Sequence, residues 1–340
     1  MLKPQKVITY KRTHWVLYPL LLAILWMWQG IQLLHAEPNN GFDLSHSLIP
    51  VEEIKHGGPE RDGIPAISQP AFINAAQANF LNDTDRVLGI NIQGEQKAYP
   101  VRILNYHEIV NDRFGDVAVL VSYCPLCGTG MAFLANRNGK DFDFGVSGLL
   151  YNSDVLLYDR QTESLWSQIR KQAITGPLKG QRLQQIPLEH TSWSDWRARY
   201  PQTRVLSQNT GYRRDYSRSP YAGYADSEQI MFDVSAVDHR FHPKEWVVGV
   251  KINGVAKAYP FSALSDAAQS KQHSELLDQV GGQHIRLVFD AVNRSGQVYA
   301  ADTLLPSTTS YWFAWYAFHP DTLVYQNDQH SPEPVNKDVK

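Results

Sequence analysis

Only two of the 340 residues are cysteines, Cys124 and Cys127. Two thiols cannot build a disulfide-stapled scaffold, and alone they cannot close a four-ligand metal cage. An excess of charge of either sign is also lacking: 32 Lys+Arg stand against 34 Asp+Glu, so no electrostatic case for nucleic acid arises. The chain contains no Walker phosphate loop, no dinucleotide fingerprint, no Gly-x-Ser-x-Gly elbow and no His-Glu-x-x-His pair. Nucleotide-dependent, hydrolase and zincin readings lose their motif support. After residue 36 no apolar run is long enough to span a bilayer. Aromatic side chains are plentiful, with 9 Trp, 17 Tyr and 13 Phe, which suits a β-structured interior and excludes wholesale disorder.

The N-terminal segment 1–36 reads as a leader. Lys3, Lys6, Lys11 and Arg12 precede an apolar run from Trp15 to Leu34. This order fits a signal peptide; the run also reaches the roughly 20 residues of an uncleaved membrane anchor. Either way the remainder is expected to be exported, periplasmic or anchored facing the periplasm. The membrane would then be touched only through the leader. Beyond residue 36, 28 basic residues face 34 acidic ones, an ordinary balance for an exported soluble domain.

Gly and Pro punctuate residues 37–86, which read as an extended N-terminal arm. Residues 87–325 read as one globular domain, and 326–340 as a flexible tail. Within the domain the sequence repeats. Val87–Pro100 (VLGINIQGEQKAYP) and Val247–Pro260 (VVGVKINGVAKAYP) are identical at eight of 14 positions. Each reads as a hairpin, with a short helix beginning at the proline and an apolar strand beyond. The expected fold is therefore α+β and β-rich, built from two pseudo-repeated hairpin–helix–strand units, 87–133 and 247–300, with short helices.

Both cysteines lie in Tyr123-Cys124-Pro125-Leu126-Cys127-Gly128, on the first copy only. In a Cys-x-x-Cys-Gly turn both thiolates face one point, and the glycine takes the left-handed conformation the turn wants. Such a pair needs one or two further ligands. His107, just before the strand that delivers Cys124, is the first candidate, and His319 is the second. Thiolate with imidazole suits copper or zinc. Glu108 is placed to orient an imidazole or act as a general base. Two other readings stay open: a redox dithiol, though no helix follows the motif as thioredoxin-like chemistry requires, and an inactive buried or oxidised pair.

A second polar stretch runs from Tyr151-Asn152-Ser153-Asp154, read as a tight turn, to Gln168. Asp159, Arg160, Trp166 and Gln168 are its candidates for binding a polar substrate. Residues satisfying backbone groups in turns would look the same. The tyrosine- and arginine-rich stretch 210–224 reads as a solvated loop.

Five segments resemble the bacterial family named domain of unknown function 3179: GGPERDGIPAI (57–67), KAYPVRILNYHEIVND (97–112), SYCPLCGTGMAF (122–133), FGVSGLLYNSDVLLYDRQTESLWSQI (144–169) and YWFAWYAFHPDT (311–322). The resemblance implies an exported or membrane-anchored protein and no particular activity. It strengthens His107, Cys124, Cys127 and His319, which all fall inside these segments. The expectation is an exported protein with a Cys/His site for copper or zinc, acting as a metal-dependent oxidoreductase if it is an enzyme. A metal-free thiol–disulfide oxidoreductase and a non-catalytic envelope binding protein are the alternatives. The expected partner is a small molecule or an envelope protein.

Overall fold

Two-residue turns set both repeated hairpins. Gln93-Gly94 and Asn253-Gly254 all have positive φ, at 53°, 87°, 49° and 86°. That pattern gives a turn whose twist matches the flanking strands. Register is the same in both copies. Val87 faces Pro100 across the strands Arg86–Ile92 and Glu95–Pro100, and Val247 faces Pro260 across Trp246–Ile252 and Val255–Pro260. These positions belong to a computed structural model that describes residues 38–137, 139–268 and 273–326. The leader 1–36 and nearly all of the tail 326–340 lie outside the described residues.

What surrounds the hairpins overturns the expected α+β architecture. Each hairpin is the middle of a larger sheet. Glu189–Ser192 adds antiparallel to Arg86–Ile92, and Thr308–Tyr311 does the same to Trp246–Ile252. On the opposite side Arg204–Leu206 and Leu323–Val324 add in parallel. Five sheets of four or five strands form a five-bladed β-propeller, with 41% strand against 12% helix. The unit is a blade, not a hairpin–helix–strand module. The short helix expected to begin at the proline ends after the four residues Val101–Leu104, and Ile109–Phe114 is already strand. The strands that complete the hairpin blades lie far away in sequence, which local pattern does not reveal.

The blade that follows in sequence is Gln185–Ile186, Thr129–Leu134, Val117–Cys124 and Ile109–Phe114, in spatial order. Another is Ile54–His56, Phe144–Tyr151, Asp154–Asp159, Leu165–Ser167 and Gln172–Ala173. The remaining blade is His273–Val280, Gln283–Asp290, Ser295–Ala300 and Thr303–Leu304. Residues 37–86 do more than wrap the domain. Ile54–His56 pairs with Leu149–Tyr151, and Phe72–Asn74 pairs with Arg204–Leu206, so this segment supplies an edge strand to two blades.

The shared Lys-Ala-Tyr-Pro now has a physical role. Lys97 Nζ sits 3.1 Å from both oxygens of Asp112, and Tyr99 donates its hydroxyl proton to Asp112 at 2.5 Å. In the second copy Lys257 Nζ lies 2.6 Å from Asp278, and Tyr259 donates to Asp278 at 2.8 Å. Each aspartate belongs to the next blade, so the repeated Lys and Tyr clamp two blades together. A further correspondence accompanies it. Trp196 packs flat on Gly89 and Trp315 on Gly249, at positions where a β-carbon would overlap the ring. Each indole N–H donates to a threonine at 2.9 Å, Thr203 and Thr322 respectively.

Candidate metal centre

Three chain segments from two blades converge on the cysteines. Cys124 ends the strand Val117–Cys124, and Cys127 lies in the turn before Thr129–Leu134. Gly128 has φ of +62°, the conformation expected of the glycine after the second cysteine. The Cys127 backbone N–H points at the Cys124 sulfur. The Cys127 carbonyl is fixed by Tyr311, whose N–H donates to it at 2.8 Å. From the neighbouring blade comes the turn Asn152-Ser153, with φ of 53° and 62°, which delivers Asp154 at the start of its strand. Asn152 pins this turn: its Oδ1 accepts from Ser235 N at 2.7 Å, and its Nδ2 donates to Ala317 O at 3.2 Å. The third segment is the loop at Glu108, also left-handed at φ of 56°, whose carbonyl accepts from Tyr123 N at 2.7 Å. Three non-glycine residues in that region around one point mark a place where the fold sustains local strain.

The sulfurs of Cys124 and Cys127 and a carboxylate oxygen of Asp154 lie within 4.8 Å of one another. Both thiols are free and buried, and both face the Ser153 carbonyl, at 3.8 and 3.4 Å. Asp154 Oδ2 accepts from Ile169 N at 3.1 Å, while its Oδ1 is buried and faces no partner but the two thiols. Burial pushes the Asp154 carboxyl up to about 7. Burial, and then the nearby Asp154, pushes Glu108 up to about 8. Burial also raises both thiols, with Cys124 adding to the effect on Cys127. Four acidic groups thus share one dry site, and among the described residues no cation stands among the main influences on either carboxylate. A nearby ammonium, Lys244, is occupied: it donates to Ser227 O at 3.1 Å and Gln229 O at 2.6 Å and lies over the Tyr224 ring.

The two histidines expected as ligands do not join this cluster. His107 is fully buried, but Nδ1 meets Pro65 O at 2.8 Å and Nε2 meets the Tyr216 hydroxyl at 2.6 Å. Both ring nitrogens are therefore engaged away from the sulfurs. His319 packs at a tilt against Trp315, with ring centroids 4.2 Å apart, and lines a separate cavity. The group that stands beside the sulfurs is the carboxylate of Asp154, which local sequence presents only as part of a turn.

The substrate-binding candidates separate. Asp159 accepts from Trp166 Nε1 at 2.9 Å and from Thr162 N and Oγ1, so it and the buried Trp166 hold a strand end. Arg160 makes a two-pronged ion pair with Asp62, at 2.9 and 2.8 Å. Gln168 alone reaches the cysteine-bearing strands. Its Nε2 donates to Ser122 Oγ at 2.9 Å and to Thr129 O at 3.4 Å, and its Oε1 is buried without a partner. The stretch read as a solvated loop is mostly exposed, but two of its tyrosines turn inward on the cysteine side: Tyr224 joins the same buried cluster as both cysteines, and Tyr221 packs against it. Long irregular segments inside compact domains are commonly functional; the composition of 210–224 gave no further signal.

A family profile described as Protein of unknown function (DUF3179) matches residues 61–303. No curated protein and no solved structure matches the chain. The matched span contains Glu108, both cysteines and Asp154, and the chain belongs to that family.

Proposed function

We propose that the protein binds one divalent metal ion, zinc by preference, through Cys124, Cys127 and Asp154, with Glu108 beside them as a fourth ligand or as the base that orients a bound water. The observation that carries this reading is the buried Asp154 carboxylate beside two buried thiols, its Oδ1 facing no partner but them and the nearest ammonium, Lys244, already spent on backbone carbonyls. Leaving such an oxygen unpaired costs about 1–3 kcal/mol, and a cation removes that cost while lowering the acidity barrier of all four groups. A carboxylate in the set favours zinc over cuprous copper, which prefers soft sulfur and imidazole donors. Zinc supplies Lewis acidity and carries no electrons, so oxidoreductase chemistry would rest on the thiols. The basic, then apolar, start supports action outside the cytoplasm on a small molecule or an envelope protein.

The second reading, a metal-free dithiol, is favoured by one feature: Asp154 is a proton acceptor within 4.8 Å of both sulfurs. Raised thiols argue against it, because the thiolate is the reactive form. Zinc loading separates the two. Purified protein freed of excess zinc by gel filtration is expected to retain one equivalent. Cys124→Ser and Asp154→Asn are each expected to lose it. Metal-free wild type that retains no zinc, or variants that retain as much as wild type, would contradict the proposal.

A further inference from the structure

A second cavity, of about 350 Å³, opens between the blade bearing Asp154 and the blade built on Trp246–Ile252. Arg170, Lys171, Arg182 and Lys251 line it, with Trp315 and His319, and no acidic residue is among its lining groups. The cations have little else to do. Among the described residues the side chains of Arg170, Lys171 and Lys251 form no hydrogen bond or ion pair, and Arg170 Nε is buried without a partner. Arg182 donates only to the Arg170 carbonyl, at 3.2 Å.

Lys171 is held in place by its own backbone. Its φ is +58°, its N–H is shared between Ser167 O and Gln168 O at 2.9 and 3.1 Å, and its carbonyl accepts from Leu183 N at 2.9 Å. A positive-φ lysine fixed by three backbone hydrogen bonds is a poor way to solvate an ammonium group. It is a good way to aim one. Burial, then Arg182 and Lys251, lowers Lys171 to about 8. Burial, then Lys251 and Lys171, lowers His319 to about 3 and keeps its imidazole neutral. Four like charges have been gathered around one cleft, Lys171 the most enclosed of them, and nothing within the described chain compensates them.

We propose that this cavity binds a small organic anion, with its phosphate or carboxylate head on Lys171, Lys251 and the two arginines and its apolar body against the rings of Trp315 and Phe318. Several cations around one cleft focus potential on an oxyanion, and guanidinium groups match its planar or tetrahedral oxygens. The volume falls in the range of small-molecule sites. This site shares no lining side chain with the thiol–carboxylate cluster except that Ile169, whose N–H holds Asp154, also lines the cavity. Its test is therefore independent of zinc.

Phenyl phosphate, benzoate and neutral benzyl alcohol are titrated calorimetrically into the purified protein at about 0.15 M salt, where surface attraction is largely screened. Saturable one-to-one binding of phenyl phosphate or benzoate, and none of benzyl alcohol, is expected; the tighter anion identifies the head group. Lys171→Gln and Lys251→Gln are each expected to weaken binding about tenfold or more, the scale of losing one charged hydrogen bond. Lys251 is exposed on a strand, so its variant retains the fold even if Lys171→Gln does not. Absence of saturable binding by either anion, or affinity unchanged in Lys251→Gln, would overturn the proposal.

Discussion

Metal-free protein is expected to lose stability as pH rises from about 4 to 8, the reverse of the usual carboxylate behaviour. The cause is the pair of buried carboxyls at the thiol site, Asp154 pushed up to about 7 and Glu108 to about 8. In the unfolded chain both titrate near 4. Between about pH 4 and pH 8 the folded state therefore holds more protons than the unfolded state, and the slope of unfolding free energy with pH is negative. The contribution is fully present below about pH 4 and is lost as pH climbs through the folded values. One pH unit of difference is about 1.4 kcal/mol per group, so the loss is on the order of 4 kcal/mol for one group, and coupling between the two limits the sum. Zinc reverses the sign, because ligands must lose protons to bind it and affinity grows with pH. Urea unfolding of the metal-free and zinc-loaded protein at several pH values checks this. Asp154→Asn flattens the metal-free profile.

Asp112→Ala is expected to destabilise the fold by about 3–5 kcal/mol, the loss typical of removing one partner from a buried ion pair. Asp112 and Lys97 expose only 6% and 8% of their side chains, so the Lys97 ammonium would stay in a dry interface with the half-exposed Glu95, 3.3 Å away, and the Arg113 carbonyl as its remaining partners. Tyr99, fully buried, would lose its acceptor too. Asp278→Ala removes the equivalent clamp in the second copy, where Lys257 and Asp278 are 17% and 19% exposed. The smaller burial predicts a smaller loss. Denaturant unfolding of the two variants compares them directly; an equal and small effect would show that the shared Lys-Ala-Tyr-Pro is not a clamp between blades.

The parts of the structure visible in the sequence were the local ones. Turn glycines and strand alternation located both repeated hairpins, and the Cys-x-x-Cys-Gly turn located the site. The propeller was not visible, because closing a blade joins residues such as Arg86 and Ser192, about a hundred positions apart. A second correspondence was present but lay at another spacing. Trp193, Trp196, Pro201 and Thr203 match Trp312, Trp315, Pro320 and Thr322 at an offset of 119, while the hairpins repeat at 160. The two offsets differ because the blade Phe144–Ala173 interrupts the first copy. The expected histidines stay out of the thiol cluster for a related reason. Chemical softness favours histidine as the partner of thiolates, but His107 spends both nitrogens on Pro65 and Tyr216. Asp154 reaches the sulfurs only because a turn in the adjacent blade carries it there.

The central claim is that two thiolates and a carboxylate hold one ion. Zinc-edge X-ray absorption on the reconstituted protein measures the ligands themselves. The account predicts two sulfur neighbours at about 2.3 Å with oxygen neighbours at about 2.0–2.2 Å, and one sulfur neighbour or none in Cys124→Ser. A spectrum with only nitrogen and oxygen neighbours, unchanged in Cys124→Ser, would contradict it.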